Sequence, residues 1–271
     1  MDKLFSPKIS LTRLFLVFVL VSSSVSSEQP TLKAIGHHDY APWNWEKDDQ
    51  IVGAAAEITA VLFKKAGANV DLRYLGPWKR GQGFVEHGVA DINICAFMNE
   101  QRKAYSVFIE TPMGFIEQAL FVKKGREFTF DTWSDLKDKK IALLFGVSLG
   151  TKFDEFLNSS TKVFRADSYQ LLFRQLKSER IDAVVIGRNS GQAILEAYGF
   201  AEDIRSLPTP VLTGKLYISM SKKSDYLHLL PLVEKQIQQE GYYQWVDKLL
   251  DKYTYIYQSD YKSADSIEKK L

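Results

Sequence analysis

The chain has 271 residues, 45% hydrophobic and 25% charged, with a formal net charge of +2. Those are the proportions of a soluble globular protein large enough for two ordinary lobes or one large domain, and the charge gives no nucleic-acid footprint. The single cysteine, Cys95, excludes an internal disulfide, which a chain of this size does not need.

The N-terminus reads as an export signal. Lys3, Lys8 and Arg13 precede an apolar run, Leu14 to Val21, which is followed by small residues from Ser22 to Ser27. This is the three-part pattern of a cleaved secretory peptide, 1–27, and its apolar core is short for a membrane span. Cleavage is expected after Ser26 or Ser27. Removing the segment takes away three cations and Asp2, so the mature chain is formally near neutral.

Thr31 to His38 reads as a first strand. It runs into Asp39, Tyr40, Ala41, Pro42, Trp43, Asn44 and Trp45, where Pro42 stops the strand. Tyr40, Trp43 and Trp45 either cap the core or line a ligand site, since both residue types pack well but prefer a polar outlet. Ala54 to Ala66 is a helix with Ala54, Ile58, Val61, Leu62 and Ala66 on one face, closed by Gly67. Val70 to Leu75 alternates as a strand. Pro77 starts a short helix carrying Trp78, Arg80, Phe84 and Val85, which ends at Gly88.

Asp91 to Phe97 is an apolar strand, and the polar turn after it ends in Arg102. An arginine at the end of a buried strand suits a small anion, because its planar fork offers paired donors to a carboxylate or phosphate. The order strand, helix, strand, helix, strand predicts a mainly parallel sheet with right-handed crossovers. Ligands in such sheets sit beyond the carboxyl ends of the strands. Asp39 to Trp43, Gly76 to Trp78 and Phe97 to Arg102 bring aromatics and an arginine to that edge. Cys95 reads as a small buried hydrophobe.

Thr111 to Gly114 is a crossing, and Phe115 to Val122 a new strand. A short helix spans Trp133 to Lys139. The strand Ile141 to Phe145 opens into Gly146, Val147, Ser148, Leu149, Gly150 and Thr151, followed by a helix over Lys152 to Leu157. A glycine turn that delivers Ser148 and Thr151 to a helix start is either an anion site or an ordinary cap. Its spacing is not that of a nucleotide loop. Lys162 to Ala166 is a strand, Ser168 to Glu179 a helix, and Ile181 to Ile186 a buried strand that ends at Gly187 and Arg188, so the second lobe repeats the first. Gly191 to Tyr198 is helical. Leu212 to Lys215 is a second crossing and Leu216 to Met220 a returning strand. Helices are expected over Asp225 to Glu240, kinked or delayed by Pro231, and over Gln244 to Lys252. The tail from Ser259 is polar and expected to fray.

With these elements in place the chain resembles the bacterial extracellular solute-binding proteins of family 3, over about Leu32 to Tyr253. The stretches that carry the resemblance are DYAPW at Asp39 to Trp43, the helix after Gly53, PWKR at Pro77 to Arg80, Gly88 to Asp91, and Arg102. They continue with Gly150–Thr151, RIDAVV at Arg180 to Val185, and GYYQWVDKLLDKY from Gly241. The resemblance implies a periplasmic-binding-protein-like α/β fold of type II, two lobes joined by two crossings. The first lobe would be 28–112 and 214–258, the second 113–213, and 259–271 a polar tail. It also implies a monomer in the periplasm of a Gram-negative bacterium. That monomer would close over a small polar, carboxylate-bearing ligand and dock on a membrane ABC permease or a receptor, with no enzymatic activity.

Carried over residue by residue, the resemblance makes Arg102 the partner of a ligand carboxylate and Tyr40 and Trp78 the aromatic lining. Thr151 becomes a hydroxyl on the same carboxylate. The positions where hydroxyl residues are usual carry Cys95, Phe97 and Asn99 instead. The acid that usually receives an ammonium is replaced by Gly187, with Arg188 following it. The ligand is therefore expected to be less cationic, and more aromatic or anionic, than a standard amino acid. The candidate ligand-binding set is Tyr40, Trp43, Trp78, Phe97, Asn99, Arg102, Ser148, Thr151 and Arg188. No cofactor is called for, and His37, His38, His87 and His228 show no metal spacing. Two other readings fit the same fold. One is a dehydratase-like enzyme using Glu117 or His38 as acid or base; the other is a ligand-sensing subunit for a membrane receptor.

Overall fold

The structure, a computed structural model, describes residues 29–268, with side chains through residue 260. The expected export signal lies outside the described residues, as do 269–271.

In chain order, β1 (Thr31–Ile35) leads into a small antiparallel meander of β2 (Asp39–Tyr40), β3 (Asn44–Lys47) and β4 (Gln50–Val52). The sequence presents this stretch as an aromatic turn and a polar linker. Asp48 and Asp49, at φ 52° and 59°, close the β3–β4 hairpin, a conformation Asp tolerates better than most residues. Gly53 follows at φ 122°, and a Cβ there would lie 2.5 Å from the Trp43 carbonyl oxygen. That close approach lets the first amides of α1 (Ala54–Lys65) bond to the Pro42 and Trp43 carbonyls at 3.0 and 2.8 Å. The aromatic segment is thereby tied to the helix start, whose orphan amides it satisfies.

β5 is shorter than its alternating sequence, Asn69–Asp71 only. Then come α2 (Trp78–His87), β6 (Ile92–Ala96), the short α3 (Glu100–Tyr105), β7 (Ser106–Phe108) and β8 (Gly114–Lys123). Arg102 thus sits inside a helix rather than at the end of a turn. Asn99 nucleates that helix: its side-chain oxygen accepts the Arg102 amide at 2.8 Å. After a single 3₁₀ turn at Trp133–Leu136 come β9 (Lys140–Leu144), α4 (Thr151–Ser160), β10 (Lys162–Ala166), α5 (Tyr169–Lys177), β11 (Ala183–Gly187), α6 (Arg188–Ala197), β12 (Ile204–Ser206) and β13 (Leu212–Ser221).

The main sheet runs β10-β9-β11-β8-β13-β6-β1-β5, with β12 beside β8 and β7 beside β13. Each end is parallel: β5, β1 and β6 in one half, β10, β9 and β11 in the other. The middle is antiparallel, so the sheet is mixed. The expected crossing at Leu212 to Lys215 is already strand: β13 pairs β8 over Leu212–Leu216 and then β6 and β7 over Tyr217–Ser221. β8 pairs β13 with its first half and β11 and β12 with its second. Two ten-residue strands that carry the chain across and back therefore hold both halves in one sheet.

α7 (Leu230–Ile237) begins later than the sequence pattern, with Pro231 in its first turn, where the missing N–H costs no helical bond. α8 (Tyr242–Glu268) is one helix that continues well past Ser259, which corrects the expected frayed tail. Trp45 packs edge-on against Tyr253 and Tyr257 of α8, with centroids 5.9 and 5.1 Å apart, and Lys47 pairs with Asp260 at 2.6 Å. α8 also packs on α1 of one half and α6 of the other, where Gln258 donates to Glu196 at 2.6 Å.

Candidate functional site

The carboxyl ends of β1 and β6 and the start of α2 face the ends of β9, β10 and β11 across a cleft. Between them lies a small cavity of about 30 Å³. One half supplies His37, Tyr40, Trp78, Cys95, Phe97 and Arg102 to it; the other supplies Gln118, Val147, Ser148, Leu149 and Tyr169.

Arg102 is the charged centre of this cavity. It is 4% exposed. Its guanidinium donates to the Phe97 carbonyl at 2.7 Å and, across the cleft, to the Gly146 carbonyl at 3.3 Å. It also lies against the Trp78 ring, 5.6 Å from the centroid. Among the described residues no ion pair involves Arg102. Burial pulls its pKa down, yet a guanidinium keeps its proton throughout the protein range. Carbonyl dipoles, the Trp78 ring and Tyr105 hold this desolvated cation without an ion pair, and such a group favours an anion, because burial of a charge is costly until it is paired.

His37, also 4% exposed, stands beside it. Its backbone N–H donates to the Asn44 side-chain oxygen, and its Nδ1 accepts the Asp39 amide at 3.1 Å. With Nδ1 an acceptor, the proton of a neutral ring is on Nε2, and that buried atom has no partner among the described residues. Burial first, then His38 and Arg102, hold the His37 pKa well below the usual imidazole value, so the ring is neutral at pH 7. Tyr40 OH accepts from Gln118 Nε2 at 3.0 Å, and burial raises its pKa. Burial likewise raises the Cys95 thiol, which argues against a reactive thiolate.

The two halves are stitched around the cavity. Trp78 Nε1 donates to the Gly146 carbonyl at 3.1 Å, and Asn99 Nδ2 to Ser148 Oγ at 2.7 Å. His38 Nε2 donates to the Asp167 carbonyl at 2.9 Å, while its Nδ1 accepts the Trp78 amide at 3.2 Å. Asp39 accepts the Tyr169 amide, at the start of α5, at 2.7 Å. Loss of water raises the Asp39 pKa, and the Tyr169 amide and His38 oppose that rise. A carboxylate on a helix N-terminus is well placed electrostatically, and these contacts join the two halves across the cleft.

Of the residues expected at the site, Tyr40, Trp78, Phe97, Arg102 and Ser148 line the cavity and four do not. Trp43 is buried beneath it, against β8: a Cβ on Gly114 would lie 2.3 Å from its ring. Asn99 is used as the α3 cap and as the bond to Ser148. Thr151 is exposed, and the helix start it was meant to furnish is already occupied. The Asp154 carboxylate takes the Leu149 amide at 3.0 Å and the Ser148 hydroxyl. Arg188 does not face Arg102. Its guanidinium is taken by Glu117, Ser206 and the carbonyls of Leu207 and Pro208, at 2.8 to 3.0 Å, within its own half. Together with Trp43 it borders a separate hollow under the crossing strands. Glu117 is spent on Arg188 and His38 on closure, so neither acid–base candidate lines the cavity.

His37, Gln118 and Tyr169 also line the cavity, although the sequence does not single them out as site residues. His37 and Tyr169 did carry a signal, since each follows a parallel strand at its carboxyl end. Gln118 had none, because it lies mid-strand in β8 and reaches the cavity only where β8 pairs with Gly187 of β11.

The family model of the bacterial extracellular solute-binding proteins, family 3, matches residues 32–255. The L-cystine-binding protein of Escherichia coli is 29% identical over 155 residues, 55% of this chain and 56% of that protein. The chain thus matches a little over half the length of that curated relative. Its backbone is similar to an amino acid ABC transporter substrate-binding protein of Streptococcus pneumoniae bound to L-arginine, with TM-score 0.70 and 22% identity over 84% of this chain and 95% of that one. It is also similar to an ancestral amino acid-binding protein that is a precursor of cyclohexadienyl dehydratase. There the TM-score is 0.65 and the identity 22%, over 81% and 95% of the two chains. At such identities the likeness is one of fold, the type II periplasmic-binding-protein architecture.

Proposed function

Because this chain belongs to the bacterial extracellular solute-binding proteins, family 3, we propose that it is the periplasmic receptor of an ABC-type uptake system, capturing a small carboxylate-bearing solute on Arg102. One observation carries this reading: Arg102 is buried in the cleft and has no ion pair among the described residues. A carboxylate there would take paired, charge-assisted hydrogen bonds and offset the desolvation of both ions. The ligands named for the similar proteins, L-cystine and L-arginine, both carry such a carboxylate.

Closure follows from the same contacts. The solute touches groups from both halves of the sheet, so it favours the closed form by its differential affinity, and the closed form is what a permease reads. The protein acts as a monomer, 28–112 and 214–258 forming one lobe and 113–213 the other. Its solute leaves the cleft chemically unchanged.

Native mass spectrometry of the purified protein should reveal a co-purified acid, and calorimetry should then give its affinity. Replacing Arg102 by Met should weaken binding by about 100-fold or more, the cost of about 3–5 kcal/mol for breaking a buried charge pair. Undiminished binding by an R102M protein that retains its wild-type circular dichroism spectrum sinks the reading.

A further inference from the structure

The cavity holds one polar atom whose role the carboxylate reading leaves open, the Nε2 of His37. We propose that His37 contacts the solute directly, its Nε2–H donating to an oxygen on the carbon next to the carboxylate, so that the cleft selects 2-oxo or 2-hydroxy acids over 2-amino acids. The proposal rests on the Arg102 reading and deepens it.

Three observations support it. The Asp39 amide fixes Nδ1 as the acceptor and Nε2 as the donor. That donor is buried, borders the cavity and has no partner among the described residues, an arrangement proteins rarely leave unmatched. Arg102 and His37 also flank the same indole. The guanidinium carbon is 5.6 Å from the Trp78 ring and the imidazole centroid 5.0 Å from it. Two donor groups lining one cavity suit a carboxylate with an adjacent oxygen.

The converse sets the selectivity. An ammonium on that carbon would meet an N–H donor beside a guanidinium, and neither Asp nor Glu borders the cavity. Asp39, two residues from His37, is already bonded to the α5 N-terminus, and Asp154 to Ser148 and the Leu149 amide. Specificity would come from this repulsion as much as from the hydrogen bond gained.

Titration calorimetry on the full mature protein tests it with two matched pairs, pyruvate against L-alanine and phenylpyruvate against L-phenylalanine. The 2-oxo acid of at least one pair should bind about tenfold or more tighter than its amino partner, and H37F should lose about that factor for the oxo acid while H37Q, which keeps an amide donor, recovers part of it. The His37 Nε2–H resonance in the wild-type protein should shift as the oxo acid is added, a readout that needs no variant. Equal or tighter binding of both amino acids overturns the proposal, as does an unmoved resonance on saturation. Oxo-acid binding that R102M abolishes and H37F leaves intact overturns the role of His37 while Arg102 keeps its own. Silence from all four probes overturns the selectivity but not the carboxylate reading, which stands or falls on binding of the co-purified acid by R102M.

Discussion

His37 is the residue at which burial, charge and hydrogen bonding converge. Its imidazole is packed between His38, Tyr40, Trp78 and Tyr169, with Arg102 and Cys95 on the same cavity wall. Because its folded pKa is depressed, its contribution to stability is fully present above about pH 6.5, the unfolded value, and is lost as pH falls through the depressed folded value. Urea denaturation of the unliganded protein at pH 7.5 and pH 5 should show a loss at the lower pH that is smaller in H37F. An identical loss in both proteins would remove His37 from the account. Arg102 differs in kind: it cannot shed its charge, so the fold keeps it buried through carbonyl dipoles and an aromatic face.

Single elements decide which residues reach the cleft. β13 passes behind Phe97 so closely that a Cβ on Gly214 would lie 2.0 Å from its ring. G214A should therefore lower the unfolding free energy by about 1–3 kcal/mol, measured by chemical denaturation, because the strand and the ring cannot both hold their places. α5 matters through its first amide, which binds Asp39 from the opposite half. D39A should weaken solute binding by about tenfold through loss of a charge-assisted bond that joins the two halves. Its effect on the melting temperature of the unliganded protein should be small by comparison. A large drop in melting temperature without a change in affinity would assign Asp39 to folding instead. α3 shows how one side chain can serve two ends: Asn99 starts the helix that carries Arg102 and also bonds Ser148 across the cleft.

For the molecule as a whole, solute binding and stability are linked. A solute that binds only the folded, closed protein adds about 2.7 kcal/mol at a concentration 100 times its dissociation constant. Thermal unfolding should therefore shift upward with concentration for every true ligand and for no other acid, which makes it a direct screen. The main sheet, continuous through β8 and β13, and α8, packed on both α1 and α6, set the path along which the halves can part. Opening has to break the contacts of His38, Asp39, Trp78, Asn99 and Arg102 with the opposite half while keeping the two long strands paired. Small-angle scattering should then give a larger radius of gyration for R102M than for the ligand-saturated wild type; equal radii would mean that Arg102 does not govern closure.

The sequence by itself determined the alternation of apolar strands and amphipathic helices, and with it the α/β class, the family, and the edge at which Tyr40, Trp78 and Arg102 gather. Those features are local. Period, caps and turn residues act within a few positions, and a parallel strand exposes its carboxyl end wherever it lies in the sheet. What only the tertiary structure decided was which neighbours compete for each polar group. Arg188 and Thr151 read as site residues until Glu117, Ser206 and Asp154 are seen to claim Arg188 and the start of α4. His37 reads as an ordinary strand-end histidine until its Nε2 is found buried without a partner. The continuation of β13 and α8 past their expected limits has the same origin, since pairing with β8 and packing against Trp45 override a weak local preference. Burial makes an unpaired charge or donor expensive, and burial is a property of the whole fold.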